Sequence, residues 1–175
     1  GIMRECDVTL VVSSVEKEIL SQDAPGVTVD VLSTVHEVHG CRRAFGDRHD
    51  LLFVGGFQHP PNSDAVLWFA RDIFPHVLER IPDLRLHVIG SKVTPDIQAL
   101  ASDHLIVHGF VADIAPAMDS ARISIAPIRY GAGVKGKINM AMSYGLPVVA
   151  TPMAVEGMHV HNGKDVVVAA EAKGF

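Results

Sequence analysis

Short, continuously apolar runs alternate with helix-like stretches from residue 51 to the end of the chain. An apolar run without alternation is typical of a parallel strand, since such a strand is covered on both faces. Strands that alternate with helices indicate βα units, which assemble into a parallel sheet. The sequence therefore predicts an α/β fold: a Rossmann-like parallel sheet with helices on both faces. The predicted strands cover residues 51–57, 84–90, 105–110, 122–128, 147–151 and 165–169.

The longest helical pattern covers residues 64–81, where apolar side chains recur at steps of three and four. Asn62 or Ser63 is expected to cap its first turn, after two prolines have stiffened the approach. Pro75 lies inside the pattern and is expected to kink the helix or to divide it in two. Three further helices are predicted, and they begin near Thr94, Asp113 and Val134.

The first 45 residues have a separate pattern. Predicted strands at 7–12 and 27–32 flank a short predicted helix at 15–21. A polar, charged stretch from residue 37 to residue 50 then predicts a linker. We therefore expect a boundary near residue 45, with residues 1–45 forming part of another domain plus a linker and residues 46–175 forming the main domain.

Composition narrows the class of protein. Hydrophobic residues make up 48% of the chain, enough for a substantial core. The formal net charge of −5 argues against a nucleic-acid-binding protein, whose surface would be basic. Two cysteines are too few for a disulfide framework, which favours a cytoplasmic location. No apolar run approaches the about 20 residues that span a bilayer, which leaves peripheral membrane association open.

Two segments carry the candidate binding chemistry. Ligands of open parallel sheets bind at the carboxyl ends of the strands, near the point where strand order reverses. The first predicted strand is followed by Gly55, Gly56 and Phe57, and paired glycines let a backbone or a ligand approach closely. An ordinary tight turn explains the same glycines equally well.

The second segment is the glycine-rich stretch from Arg129 to Lys137, which leads into a predicted helix. Free amide N–H groups at the positive end of a helix dipole form an anion site. Lys135 and Lys137 add two cationic donors that suit a diphosphate. The spacing of a P-loop, G-x-x-x-x-G-K-[ST], is absent. A flexible loop with solvated lysines is the alternative interpretation.

No metal site and no hydrolase triad are predicted. His36, His39 and Cys41 lie close together in sequence, but two nitrogens and one sulfur without a fourth ligand make a poor zinc site. A solvated linker is the expected state of that stretch. The sequence contains no G-x-S-x-G elbow.

Residues 51–165, about two thirds of the chain, resemble the C-terminal domain of retaining GT-B glycosyltransferases of family four. Four segments carry the resemblance, in the order and at the spacing of that family. They read VGGFQHPPNSDAVLWFARDIFP, PDLRLHVIG, GFVADIAPAMDSARISIAPIRYGAGVKGKI and AMSYGLPVVATPMAVEGM. The last two segments together are specific to the family.

The resemblance implies a donor site for a nucleoside diphosphate sugar of the UDP or GDP type. The diphosphate is expected against the glycine pair and the glycine-rich loop, and the base at the end of the third strand. Met140 stands where the family has a glutamate that holds the ribose, and Ala132 stands where it has a second glutamate. A thioether accepts hydrogen bonds only weakly. The implied donor-binding residues are Gly55, Gly56, Phe57, Gly109, Phe110, Val111, Gly131, Gly133, Val134, Lys135, Lys137 and Met140.

The resemblance also implies a reaction and a second, acceptor-binding domain. Residues 7–20 resemble the last strand and helix of the family's N-terminal, acceptor-binding domain, so the rest of that domain would act in cis. The expected activity is transfer of a sugar to a glycan, lipid or small-molecule acceptor, in the cytoplasm or at the inner face of the membrane. It needs no metal, and the resemblance assigns no catalytic acid or base to this chain. The chain alone is expected to be inactive.

Two other functions compete with this prediction. Met140 and the missing half favour a catalytically degenerate nucleotide-sugar-binding or scaffold domain. A dinucleotide-dependent enzyme is disfavoured, because no G-x-G-x-x-G follows the first predicted strand and no acidic residue ends the second.

Overall fold

The computed structural model describes residues 2–131 and 135–175, which form two parallel sheets. The smaller sheet pairs β1 (Thr9–Val11) with β2 (Val29–Val31), and helix α1 (Ser14–Asp23) connects the two strands. The Ser13 side chain accepts a hydrogen bond from the Glu16 amide and caps α1. This βα unit agrees with the pattern predicted for the start of the chain.

The larger sheet has six parallel strands in the order β5-β4-β3-β6-β7-β8. This is the strand order of a Rossmann fold, in which two halves diverge from a central pair of strands. The central pair here is β3 and β6, so a crevice opens where their carboxyl ends part. The strands are β3 (His49–Val54), β4 (Leu86–Ile89), β5 (Leu105–Gly109), β6 (Ala121–Ala126), β7 (Val148–Ala150) and β8 (Val167–Val168).

Helices cover both faces of this sheet, as predicted. Leu52 and Phe53 are neighbours in β3 and therefore point to opposite faces, yet both are fully buried. The helices are α2 (Pro60–Trp68), α3 (Phe74–Arg80), α4 (Pro95–Gln98), α5 (Ala115–Ser120), α6 (Gly136–Ser143) and α7 (Pro152–Val155). Short 3-10 helices lie at Ile2–Glu5, Phe45–Asp47 and Ala172–Gly174.

The long helical pattern is divided near Pro75, as predicted. A π-helical turn at Phe69–Ile73 separates α2 from α3, and Pro75 lies in the first turn of α3. A proline fits there because its missing N–H is in any case unpaired in a first turn. Phe69 and Ile73 are each only 1% exposed, so the irregular turn packs into the core.

The predicted cap of α2 is wrong. The helix begins at Pro60, and His59 occupies the N-cap position. The two prolines form the first turn rather than the approach to it, because their fixed φ and missing N–H suit that position. Neither Asn62 nor Ser63 caps the helix. Thr94, by contrast, is the residue before α4, as predicted.

The segment between the two sheets is attached to the end of α6. Residues 36–47 are exposed. The amides of His39 and Gly40 nevertheless donate to the carbonyl oxygen of Ser143, at 2.9 and 2.8 Å. The His39 ring also stacks on the ring of Tyr144, with 4.4 Å between centroids. The linker therefore supplies two donors for the last carbonyl group of α6.

Candidate functional site

The crevice at the centre of the sheet brings the two predicted binding segments together. Gly55 and Gly56 follow β3 directly, and the loop after β6 leads into α6, whose first turn contains Lys137. A Cβ atom built on Gly55 would lie 2.8 Å from the Lys137 Nζ. Gly55 and Lys137 are 82 positions apart in the chain and lie side by side in the fold.

Glycines at this crevice make room for specific neighbours. A Cβ atom on Gly55 would also lie 2.9 Å from the side-chain amide of Asn62, so position 55 admits two polar side chains. A Cβ atom on Gly90, at the end of β4, would overlap the carbonyl oxygen of Gly55. Absence of a side chain at both positions lets β3 and β4 end in close contact.

Lys137 is a largely buried amine whose direct contacts are with uncharged side chains. Its Nζ donates to the Asn62 Oδ1 at 2.5 Å and lies 4.4 Å from the centre of the Phe53 ring. Burial, together with the positive charge of Lys135, lowers the pKa of Lys137 to about 7. Within residues 2–131 and 135–175, no carboxylate forms a salt bridge with this amine. Among those residues, the Lys137 amine therefore has no paired carboxylate.

Lys135 lies immediately before α6. Its Nζ donates to the carbonyl oxygen of Gly131 at 2.9 Å. Burial lowers the pKa of Lys135, and the nearby carboxylates of Glu156 and Glu16 act in the opposite direction. Glu16 belongs to α1, so the smaller sheet's βα unit contributes charge to this region.

Gly133 and Val134 lie outside the described residues, as does Ala132. Gly131 is described and has a φ of +117°, a conformation that favours glycine. A Cβ atom there would lie 3.2 Å from the ring of Pro61.

The residues predicted to contact the base end the third strand of the larger sheet. Gly109 has a φ of +71°, and Phe110 is 75% exposed. The carbonyl oxygen of Gly109 accepts a hydrogen bond from the Gly90 amide at 2.9 Å. Val111 is partly buried and packs against the core. An exposed aromatic ring next to a strand end is a surface on which a flat base can stack.

Phe57 and Met140 have mainly packing contacts. Phe57 is 4% exposed and packs against Phe53, with 6.3 Å between ring centroids. Met140 is partly buried against the core, and its carbonyl oxygen accepts from the Ser143 hydroxyl. Both side chains therefore belong to the packing of the hydrophobic core.

Sequence reasoning missed the role of Asn62. Its Nδ2 donates to the carbonyl oxygen of Gly56 at 2.7 Å, while its Oδ1 accepts from Lys137. Sequence position alone predicts only a capping role for this amide. The available signal was its position directly after two prolines, which places the amide inside the first turn rather than before it.

Two further residues near the crevice were not predicted as part of the site. The ring of His36, in the linker, lies 3.9 Å from the place of a Cβ atom on Gly136. Arg129 forms an ion pair with Asp64, and its guanidinium carbon lies 5.3 Å from the ring centre of Trp68. This pair ties the loop after β6 to α2.

The described residues contain no cluster of three or more histidine, cysteine or acidic side chains that could hold a metal ion. Cys41 contacts Arg48 instead, with 2.8 Å between the sulfur and an Nη atom. No helix in the described ranges has both the length and the apolar character needed to cross a membrane.

Solved structures of similar fold include two proteins from bacteria. TarM of S. aureus superposes with a TM-score of 0.80 and 12% identity, covering 95% of this chain and 34% of TarM. Anabaena HepE, solved in complex with UDP and glucose, gives a TM-score of 0.75 and 14% identity, covering 98% of this chain and 51% of HepE. These similarities confirm the predicted Rossmann-like fold.

Curated relatives are similar over most of the chain. A phosphatidyl-myo-inositol mannosyltransferase of Mycobacterium tuberculosis is 31% identical over 147 residues, or 79% of this chain and 37% of the relative. An uncharacterised 44.6 kDa protein from the cps region of Klebsiella pneumoniae is 27% identical over 142 residues, or 76% of this chain and 34% of the relative. The chain spans about a third of the length of these relatives.

The family model described as Glycosyl transferases group 1 matches residues 48–175. This range includes all six strands of the larger sheet and the crevice between β3 and β6. The resemblance to GT-B glycosyltransferases that the four sequence segments carry is thereby confirmed at the level of the group 1 family. The chain belongs to the glycosyl transferases group 1 family.

Proposed function

We propose that the complete protein transfers a sugar from a nucleoside diphosphate sugar to an acceptor, and that this chain binds the donor. The observation that carries the proposal is the position of Lys137. Its buried amine lies at the end of β3, where the strand order reverses, and has no carboxylate partner among the described residues. A diphosphate would supply the missing negative charge.

The proposed chemistry is stabilisation of the departing diphosphate. Amide N–H groups at the start of α6 carry the positive end of the helix dipole, and Lys137 lies in the same turn. Lys135 lies one residue before the helix and adds a second cation. Fixed donors of this kind stabilise charge that develops during bond cleavage, without a metal ion. We propose a retaining reaction on the strength of the family resemblance.

We propose that the base of the donor stacks on the exposed ring of Phe110, beside Gly109. UDP is the first ligand to test, since Anabaena HepE was solved with UDP and with UDP-glucose. Met140 offers the ribose a thioether rather than a carboxylate, so we expect weaker contacts to the ribose hydroxyls than a glutamate would make.

The acceptor is proposed only by class: a glycan, a lipid or a small molecule. The names of the relatives, a cps-region protein and a phosphatidyl-myo-inositol mannosyltransferase, favour an acceptor of the cell envelope. We propose action in the cytoplasm or at the inner face of the membrane, with an acceptor-binding domain contributed in cis by the rest of the protein. The chain alone would then bind the donor without turning it over.

Calorimetric titration tests the proposal directly. The 175-residue chain is titrated with UDP, GDP and ADP, alongside K137M and the matched control K173M. Lys173 is exposed in the last 3-10 helix, far along the chain from the crevice. We expect at least one nucleotide to bind the wild type and K173M equally and K137M at least about tenfold more weakly. Absence of binding by all three nucleotides at millimolar concentration would contradict the proposal.

A catalytically degenerate binding domain is the second candidate, and the observation that favours it is Met140. Its side chain packs against the core at the place where the family has a ribose-binding glutamate. The substitution M140E in the full-length protein separates the two functions. Sugar transfer by the wild-type protein at the rate of M140E would exclude degeneracy, whereas transfer by M140E alone would support it.

A further inference from the structure

Asn62 connects the two halves of the crevice through both ends of its side-chain amide. Its Nδ2 donates to the carbonyl oxygen of Gly56 at 2.7 Å, and its Oδ1 accepts from the Lys137 Nζ at 2.5 Å. The side chain is only 9% exposed. One buried amide therefore joins the turn after β3 to the first turn of α6.

Helix capping does not explain this arrangement. His59 is the N-cap of α2, and the backbone amide of Asn62 already bonds to the His59 carbonyl oxygen at 3.0 Å. The side chain is thus free to turn into the crevice. Position 55 must lack a side chain for it to do so, since a Cβ atom there would lie 2.9 Å from the Asn62 amide.

The residue type at position 62 decides the state of the lysine. A carboxylate would form a permanent ion pair with the ammonium group, so a bound anion would gain less from its positive charge. An apolar side chain would leave a buried amine without a partner, which costs the full desolvation of that group. A neutral amide satisfies one N–H of the amine and leaves its charge uncompensated.

We propose that Asn62 is a positioning residue: it holds the Lys137 amine beside Gly55, ready for the diphosphate, without neutralising it. The inference rests on the proposed function, since it assigns Lys137 to the donor diphosphate. It adds a residue that neither the glycine-rich loop nor the glycine pair contains. Asn62 acts through Lys137 and does not itself take part in the reaction.

The position has a consequence for protonation. Burial of the amine and the positive charge of Lys135 lower the pKa of Lys137 to about 7, and Asn62 adds no charge that would raise it. N62D would place a carboxylate at hydrogen-bond distance and raise that pKa by about 1–3 pH units. The amine of N62D would then be fully charged at neutral pH but already paired, so a diphosphate would gain less from it.

Two measurements on the 175-residue chain test the inference. NMR titration of the lysine Cε signals follows the pKa of Lys137, which the loss of one signal in K137M assigns. Calorimetry with UDP, GDP and inorganic pyrophosphate follows the affinity. The variants are N62D, N62S and the control S63A, whose altered residue is the next one along the same helix. N62S keeps a small polar residue in case N62D folds poorly.

We expect a Lys137 pKa raised by more than about one unit in N62D, and nucleotide affinity reduced about tenfold or more in N62D and N62S. S63A should match the wild type in both measurements. Wild-type affinity and an unshifted Lys137 pKa in N62D would overturn the positioning role while leaving the donor site intact. Failure of the wild type to bind any of the three ligands would overturn the proposed function, whatever the NMR titration of N62D shows.

Discussion

The guanidinium group of Arg48 donates a hydrogen bond to the carbonyl oxygen of Tyr144 at 3.1 Å, which joins the entry of β3 to the end of α6. Arg48 is 1% exposed and also donates to the carbonyl oxygens of Gly145 and Arg43. Carbonyl groups at the end of a helix attract positive charge. The helix that carries Lys137 at its start is thus held at its other end by a buried cation.

Replacement of this cation should destabilise the fold. R48M fills the same space but leaves the carbonyl oxygens of Tyr144 and Gly145 without a donor, which we expect to lower the free energy of unfolding by about 2–4 kcal/mol. Urea denaturation at pH 7 measures the change. R43M is the control, because the side chain of Arg43 is exposed. Equal midpoints for R48M and R43M would show that the buried hydrogen bonds contribute nothing.

The stability of the chain should depend on pH through Lys137. Its pKa is about 7 in the folded chain and near 10.5 when unfolded, so the unfolded chain binds the proton more tightly. Burial of this amine therefore lowers the free energy of unfolding. The loss is complete below pH 7 and disappears as pH rises towards 10.5. A pKa shift of that size corresponds to about 5 kcal/mol, and a chain of this length gains about 2–4 °C per kcal/mol. At pH 6, K137M should therefore melt about 10 °C or more above the wild type. The difference should shrink at pH 9; a constant difference would contradict a shifted lysine.

Binding of UDP should be coupled to proton uptake. The diphosphate raises the pKa of Lys137 above its value of about 7 in the free chain. Between those two values the free amine must gain a proton on binding, so affinity should fall as pH rises from 7 to 9, approaching about tenfold per pH unit. Calorimetry in two buffers of different ionisation enthalpy measures the proton directly. Uptake that persists in K137M would assign the proton to another group.

A side chain at position 55 should displace the lysine. G55A places a Cβ atom 2.8 Å from the Lys137 Nζ, so the amine must move away from the end of β3. We expect UDP affinity to fall about tenfold or more with a modest loss of stability. G46A is the control, because a Cβ atom there has no neighbour within 4 Å. Normal UDP affinity in G55A would remove Gly55 from the proposed site.

Lys135 should contribute separately from Lys137. K135A removes a charge-assisted contact to the diphosphate, which we expect to weaken binding by about 1.5–3 kcal/mol. Burial lowers the pKa of Lys135, and the carboxylates of Glu156 and Glu16 act in the opposite direction. An affinity equal to that of the wild type would place the phosphates elsewhere.

The sheet could be predicted because its signals are local. Each strand is a continuous apolar run, and every predicted boundary lies within three residues of the observed one. The interruption near Pro75 was also predictable, since a proline inside a helical pattern removes a backbone donor. In a βα unit the helix runs back along the sheet, so the next strand lies parallel to the one before it.

The contacts that define the crevice could not be predicted in this way. Asn62 and Lys137 are 75 residues apart, and Arg48 and Tyr144 are 96 apart. No periodicity or spacing in the sequence links such pairs, because they meet only after the two halves of the sheet have assembled. The sequence predicts a local role for Asn62, the capping of α2. In the structure its side chain instead bonds to Gly56 and Lys137.

The crowding at the end of β4 restricts which sequences can adopt this crevice. Any residue other than glycine at position 90 would place its Cβ atom on the Gly55 carbonyl oxygen. The ends of β3 and β4 would then have to move apart. A library of variants selected for solubility alone should therefore retain only Gly90, although the residue offers a ligand no functional group. A position beside a binding crevice can thus require one residue type because of the packing of the strands around it, and not because of contact with a ligand.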